Sequence, residues 1–151
     1  MEDNMFRTVV WASDGSAAAE RSLPWARGIA QNSGARLIAV YVNEVGLGRA
    51  AAAVADLHDE GQAAVRRAVE ALQQDGINAE FVTGNVMVGG VAQVIADFAR
   101  DADADLIVTG TRGRNPLVGL LVGSVTRRLL EIAPCPVLAV PSTQPRQSGD
   151  S

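Results

Sequence analysis

Residues 105–113 read Asp105-Leu106-Ile107-Val108-Thr109-Gly110-Thr111-Arg112-Gly113. Leu106, Ile107 and Val108 are apolar on consecutive positions rather than alternate ones. That pattern predicts a strand buried on both faces, as in a parallel sheet. The glycines that follow end the strand and predict a loop at its carboxyl end. Nine residues separate Gly113 from Gly123-Ser124, which opens a helical pattern carrying Val125, Leu129 and Ile132 and ending before Pro134.

Outward from this stretch, four more apolar, β-branched runs are predicted as strands: residues 6–12, 36–42, 79–83 and 137–140. Amphipathic helices alternate with them. The first covers about residues 17–31, with Ala19, Leu23, Ala26 and Ala30 at helical spacing and Pro24 expected to kink it or shift its start. The second covers residues 51–74, with Val54, Leu57, Ala64, Ala68 and Leu72 on one face and Gly76 as its stop. The third covers residues 91–102, with Val91, Val94, Ile95 and Phe98 inward. Alternating strands and helices predict an α/β fold: one doubly wound, Rossmann-like, five-stranded parallel sheet with four helices on its two faces. No internal repeat or second domain is visible. Residues 1–141 read as one domain, and residues 142–151 as a polar tail expected to be disordered.

Composition narrows the chemistry. The chain has 151 residues, 48% hydrophobic and 20% charged, with a net charge of −4. That balance argues against a nucleic-acid surface, which needs a basic face. All 13 basic residues are Arg. A Schiff-base lysine and a Walker-type phosphate loop are therefore excluded. One Cys (Cys135) and one His (His58) leave no internal disulfide and make a zinc site improbable. No apolar stretch approaches the ~20 residues of a spanning helix. The acidic start Met1-Glu2-Asp3-Asn4 has no secretory character, so a cytoplasmic location is expected.

In open α/β sheets, ligands bind beyond the carboxyl ends of the strands where strand order reverses. Two segments qualify. Ala12-Ser13-Asp14-Gly15-Ser16 follows the first strand. Asp14 can accept hydrogen bonds from a ribose or a base amine, but Asp-Gly is also an ordinary turn, and Asp14 or Ser16 can simply cap the helix. The second segment is Gly110-Thr111-Arg112-Gly113 with Gly123-Ser124. Glycines let amides approach a ligand closely, and the first amides of a helix form an anion site. Ser124 and Thr126 can add hydroxyl hydrogen bonds, and Arg112 and Arg114 can add charge. The alternative is a glycine-rich loop needed only for its turns.

The pattern Gly110, Gly113, nine residues, Gly123-Ser124 resembles the universal stress protein family, in its ATP-binding branch. Val9-Val10-Trp11-Ala12-Ser13-Asp14-Gly15-Ser16 and Ala133-Pro134-Cys135-Pro136-Val137-Leu138-Ala139-Val140 carry the same resemblance. It implies strand order 3-2-1-4-5 and ATP as ligand, with Mg²⁺ expected alongside the phosphates. Ala12, Ser13 and Asp14 would line the adenine and ribose end, and Val42 would pack on the base. Gly110, Thr111, Gly113, Gly123, Ser124, Val125 and Thr126 would surround the ribose and phosphates. The resemblance further implies a stress-response role and a homodimer through the last strand, residues 137–140. Efficient catalysis is not expected, since no general base, Lys or His is placed near the phosphates; slow ATP hydrolysis is the most that amides and a metal would support.

Two other readings stand beside this one. A pyrophosphatase of the PP-loop type would need a fuller Ser-Gly-Gly loop than Ser13-Asp14-Gly15-Ser16, and a nucleotidyltransferase would need a His-x-Gly-His motif that is missing. A dimeric scaffold with a pocket that is empty, or holds AMP or cyclic AMP, is the third reading. Elsewhere, His58 reads as a surface or helix-packing residue, Cys135 as a buried inert thiol, and Trp11 and Trp25 as core or near-core aromatics. Asp97, Asp101, Asp103 and Asp105 read as a solvated helix end and turn rather than a metal site.

Overall fold

The computed structural model describes residues 4–45, 51–112 and 122–142; the side chains of residues 51–54, 56 and 57 are outside the description. Five parallel strands form one sheet: β1 (Thr8–Ala12), β2 (Arg36–Val45), β3 (Ala79–Met87), β4 (Leu106–Gly110) and β5 (Val137–Val140), in the order β3-β2-β1-β4-β5. The order reverses between β1 and β4, which lie side by side with Trp11 opposite Val108.

The expected helical blocks are present, and the first is divided. Pro24 cannot supply the amide that a continuous helix needs, so α1 (Ala17–Glu20) stops after one turn and α2 (Leu23–Ser33) starts afresh with Pro24 in its first turn. The others are α3 (Ala51–Gln74), α4 (Val91–Asp101) and α5 (Ser124–Ile132).

Strand parity sorts the core into two layers. Val9, Trp11, Leu37, Ala39, Tyr41 and Val108 face α2 and α3, meeting Ala26, Ala30, Val65, Val69 and Leu72. The buried stripe of α3 runs through Val65, Val69 and the expected Leu72, with the expected Ala68 packed against it; Val65 and Val69 are the buried positions the sequence reading left out. Val10, Ala12, Ile38, Val40, Val42 and Ile107 face α4 and α5, meeting Ile95, Ala96, Ala99 and Leu129. Trp11 is fully buried, and its indole N–H donates to Ser22 Oγ at 2.8 Å, as a buried indole requires. Trp25 departs from expectation: it lies on the outside of α2, 56% exposed.

β2 and β3 outrun their sequence limits. Their ladder continues through Val42↔Gly84, Asn43↔Asn85 and Glu44↔Val86 to Val45↔Met87, beyond the last β1 pair, Ala12↔Val40. Asn43 Nδ2 donates to Asn85 Oδ1 at 3.0 Å, and Gln62 Nε2 of α3 donates to Asn43 Oδ1 at 2.9 Å. This amide chain gives the polar residues partners in a place where periodicity reads as loop.

Among the described residues no helix is long and apolar enough to cross a membrane. Asp105 accepts from the amides of Arg7 and Thr8, so it ties the start of β1 to β4. No cluster of three metal-ligating side chains exists among the described residues. Residues 143–151, the greater part of the expected tail, lie outside the described residues.

Candidate functional site

The carboxyl ends of β1 and β4 adjoin, and Thr109 Oγ1 reaches the Ala12 carbonyl at 3.4 Å. The two segments singled out in the sequence therefore meet at the point of strand reversal.

On the β1 side the loop is organised by its own polar groups. Ser13 N donates to Val40 O at 3.3 Å. Ser13 Oγ accepts from Gly15 N at 3.1 Å, and Asp14 Oδ1 accepts from Ser16 N at 2.9 Å. Ser16 is the helix cap, its Oγ accepting from Ala19 N at 3.2 Å. The capping role thus falls to Ser16, while Asp14 shapes the turn and stays half-buried. Ala12 and Ser13 are buried. Gly15 has φ +77°, and a Cβ built on it would overlap the backbone of Gly61 in α3. This glycine is required twice over: by its left-handed backbone and by the close approach of the loop to α3.

Sequence reasoning passed over Glu20. It sits on α1 with Oε1 buried and without a hydrogen-bond partner. Burial raises its pKa above the usual carboxylate value; the Arg67 guanidinium offsets part of that rise, and the Asp14 charge adds to it. Its position in a first helical turn reads, in sequence, as an ordinary acidic complement to the helix dipole.

On the β4 side Gly110 is buried. A Cβ there would come within 3.0 Å of Arg112 O and 3.3 Å of Ala18 O, so the absent side chain lets α1 close over the end of β4. Thr111 N donates to Val140 O at 2.9 Å, and Gly123 N donates to Thr111 O at 2.7 Å. The Gly123 amide is therefore engaged within the protein. The next amides are those of Ser124, Val125 and Thr126, in the first turn of α5, and no side chain caps that helix. In an α-helix such amides lack intrahelical acceptors. Thr126 is buried, and its hydroxyl donates to Gly110 O at 2.7 Å. In this arrangement it braces β4 against α5 rather than offering its proton outward. Ser124 is exposed, and Thr111, Arg112 and Val125 are half-buried. Val42 is 8% exposed, within the α4-side core. Gly113 and Arg114 lie outside the described residues.

His58 is engaged between α3 and β2. Its Nδ1 meets Tyr41 OH at 2.8 Å and its Nε2 meets Glu44 O at 3.0 Å, so it packs α3 onto β2. Cys135 is half-buried, and burial, then the Asp105 charge, pushes its thiol pKa up, which suits an unreactive group.

The chain is a doubly wound, Rossmann-like α/β fold, a class in which ligands bind beyond the carboxyl ends of the strands where strand order reverses. Residues 5–141 match the universal stress protein family. A universal stress protein of Thermus aquaticus is 35% identical over 144 residues, covering 90% of this chain and 99% of its own. The universal stress protein of Lactobacillus plantarum has a similar structure, with a TM-score of 0.71 at 25% identity over 89% of this chain and 97% of that one. A universal stress protein from Archaeoglobus fulgidus solved in complex with dAMP gives a TM-score of 0.66 at 26% identity, covering 89% and 97%. Another, solved in complex with cAMP, gives 0.57 at 25% identity, covering 91% and 98%. The chain belongs to the universal stress protein family.

Proposed function

We propose that this chain binds an adenine nucleotide, ATP with Mg²⁺, at the β1–β4 switch point and acts as a regulatory module in a cytoplasmic stress response. The observation that carries the reading is the pairing of the half-buried Asp14 with the uncapped first turn of α5, across two strands joined side by side. A nucleotide has the matching polarity: ribose hydroxyls that donate to a carboxylate, and phosphates that accept from amides at a positive helix end. Solved relatives that hold dAMP and cAMP support an adenine nucleotide as the class of ligand.

The residues fit a phosphate-borne Mg²⁺, which needs only one or two protein carboxylates. Asp14 is the side chain that would reach it. When bound, the ion would neutralise phosphate charge. In this reading Ala12 and Val42, with the buried Ser13, would line the end where a base leaves water. Gly113, Arg114 and the rest of the glycine loop complete the phosphate end in this reading. No described His or Lys stands by to abstract a proton from water, so binding, with at most slow hydrolysis, is the function the cleft supports.

The same reading includes a second copy of the chain paired through β5. This strand ends the sheet. Pro136 O and Val140 O accept from Ile107 N and Thr111 N. The backbone groups of Val137 and Ala139 therefore point away from β4, toward the open edge.

Calorimetry with ATP, ADP, AMP and cyclic AMP, with and without Mg²⁺, tests the ligand. ATP is expected to bind, and Gly123→Val to weaken it by about tenfold or more, a loss of ~1.4 kcal/mol or greater. No heat with any of the four nucleotides would overturn the reading. Unchanged ATP affinity in Gly123→Val would remove the phosphate end from it.

A further inference from the structure

We infer that one turn of α3, from His58 through Gly61 to Gln62, positions the two segments that would hold the nucleoside, the turn at Asp14 and the end of β2 at Val42. It thereby sets affinity for the nucleoside rather than for the phosphates. Resting on the nucleotide reading, this role adds to the site residues of a helix outside its proposed contacts.

The ladder between β1 and β2 ends at Ala12↔Val40, with Ser13 N donating to Val40 O just beyond it. Past that point the chain after β1 turns into α1, while β2 runs on to Val45. α3 touches both. A Cβ built on Gly15 would lie 2.4 Å from Gly61 Cα and 2.5 Å from Gly61 O, so the two glycine α-carbons are in van der Waals contact. One turn away, His58 meets Tyr41 OH at 2.8 Å and Glu44 O at 3.0 Å. Gln62 Nε2 donates to Asn43 Oδ1 at 2.9 Å. Residues 58, 61, 62 and 65 follow the i, i+3, i+4, i+7 spacing of one helix face, and Val65 is fully buried against the sheet. Val42 lies between Tyr41 and Asn43, whose side chains α3 holds. Its own side chain belongs to the α4-side core, so α3 fixes Val42 through the backbone.

Gly61 is buried in the interior of a 24-residue helix, where glycine is less favourable than alanine. Its contact with Gly15 accounts for it. Positions 61, 65, 69 and 72 form the inward stripe of α3, so a side chain at 61 would be aimed at the sheet, into the space of the Asp14-Gly15 turn. The phosphate end lies on the other side. In the nucleotide reading it is formed by the start of α5, whose Leu129 packs on the opposite face of the sheet from Val65 and Val69. A shift of the α3 turn would therefore displace the nucleoside contacts and leave the α5 amides in place.

The experiment is calorimetry of the full chain with ATP and ADP, with and without Mg²⁺, on the parent and three variants. Gly61→Ala adds one methyl at the contact with Gly15. Gln62→Met removes the amide that holds Asn43 and keeps the length of the side chain. Ala71→Gly, at an exposed position of the same helix, loosens α3 away from the turn at Asp14. Circular dichroism and thermal melts check that each variant folds. Gly61→Ala is expected to weaken ATP and ADP by the same factor, about tenfold or more, whether or not Mg²⁺ is present. Gln62→Met should weaken both by about threefold, and Ala71→Gly should leave both within about twofold of the parent. At an ordinary helix position Gly61→Ala would raise the melting midpoint and keep the parent's affinities, and that result overturns the positioning role. Should Gly61→Ala not fold, parental affinities in Gln62→Met overturn it instead. A loss confined to ATP, or to samples with Mg²⁺, overturns the assignment to the nucleoside. A loss of the same size in Ala71→Gly overturns it too, since helix stability alone would then account for the effect. A parent that binds neither nucleotide overturns the nucleotide reading itself.

Discussion

The hydroxyl of Thr126, in the first turn of α5, donates to the carbonyl of Gly110, the last residue of β4, at 2.7 Å. One buried bond therefore holds the end of a strand against the start of a helix, and these two elements carry the phosphate end in the proposed reading. Thr126→Val should lower stability by about 1–2 kcal/mol and weaken ATP binding, while Thr126→Ser should retain most of both. Thermal unfolding and calorimetry read the two effects. A Val variant equal to the parent in both would remove the bracing role.

Gly15 and Gly34 both have positive φ, +77° and +71°, but only Gly15 lies against another backbone. Gly34→Ala should cost about 1–2 kcal/mol, the left-handed penalty alone. Gly15→Ala adds overlap with Gly61 and should cost roughly 2–4 kcal/mol. Equal costs in urea unfolding would show that the loop yields without disturbing α3.

Ser22 is fully buried between Trp11 Nε1, which donates to it, and Ala19 O, to which it donates at 2.6 Å. Ser22→Ala strands the indole N–H, and a loss of about 1–3 kcal/mol is expected, with a change in Trp11 emission. Denaturant unfolding followed by fluorescence measures both. An unshifted midpoint would mean that another acceptor takes the indole.

Glu20 has a folded pKa raised by burial, less the offset from Arg67. The folded state then holds the proton more tightly than the unfolded chain. Its contribution is favourable below the ordinary carboxylate value of 4.5 and is lost as pH rises through the raised value. Glu20→Gln should therefore gain stability relative to the parent as pH rises from 4 to 7. Because the side chain is only partly buried, solvent screens its charge and the gain is small. Paired thermal melts across that range test the sign; a Gln variant that loses ground with rising pH would refute it.

The sheet was legible because strands such as Leu106-Ile107-Val108 are buried on both faces and cannot be mistaken for amphipathic helix. Pro24 announced a disturbance, though whether it kinks one helix or begins another depends on tertiary packing. The extension of β2 and β3 was hidden because Asn43, Gly84 and Asn85 look like loop residues until Gln62, from a distant helix, completes their hydrogen bonds. Trp25 was misplaced because aromaticity indicates a wish for burial and not which surface provides it. At the site, the strand order implied by the resemblance brought the Asp14 and Gly110 loops together, but it carries no information on where a hydroxyl points. Thr126 turned inward and Ser124 outward for reasons that lie in the β4 carbonyl.

His58 is the chain's one imidazole, and it sits where α3 meets β2, between Tyr41 OH and Glu44 O. Its ring protons would consequently give a single, self-assigned set of resonances in a proton NMR spectrum. Without any label, that signal would report whether the long helix stays seated while a nucleotide enters or a second subunit departs.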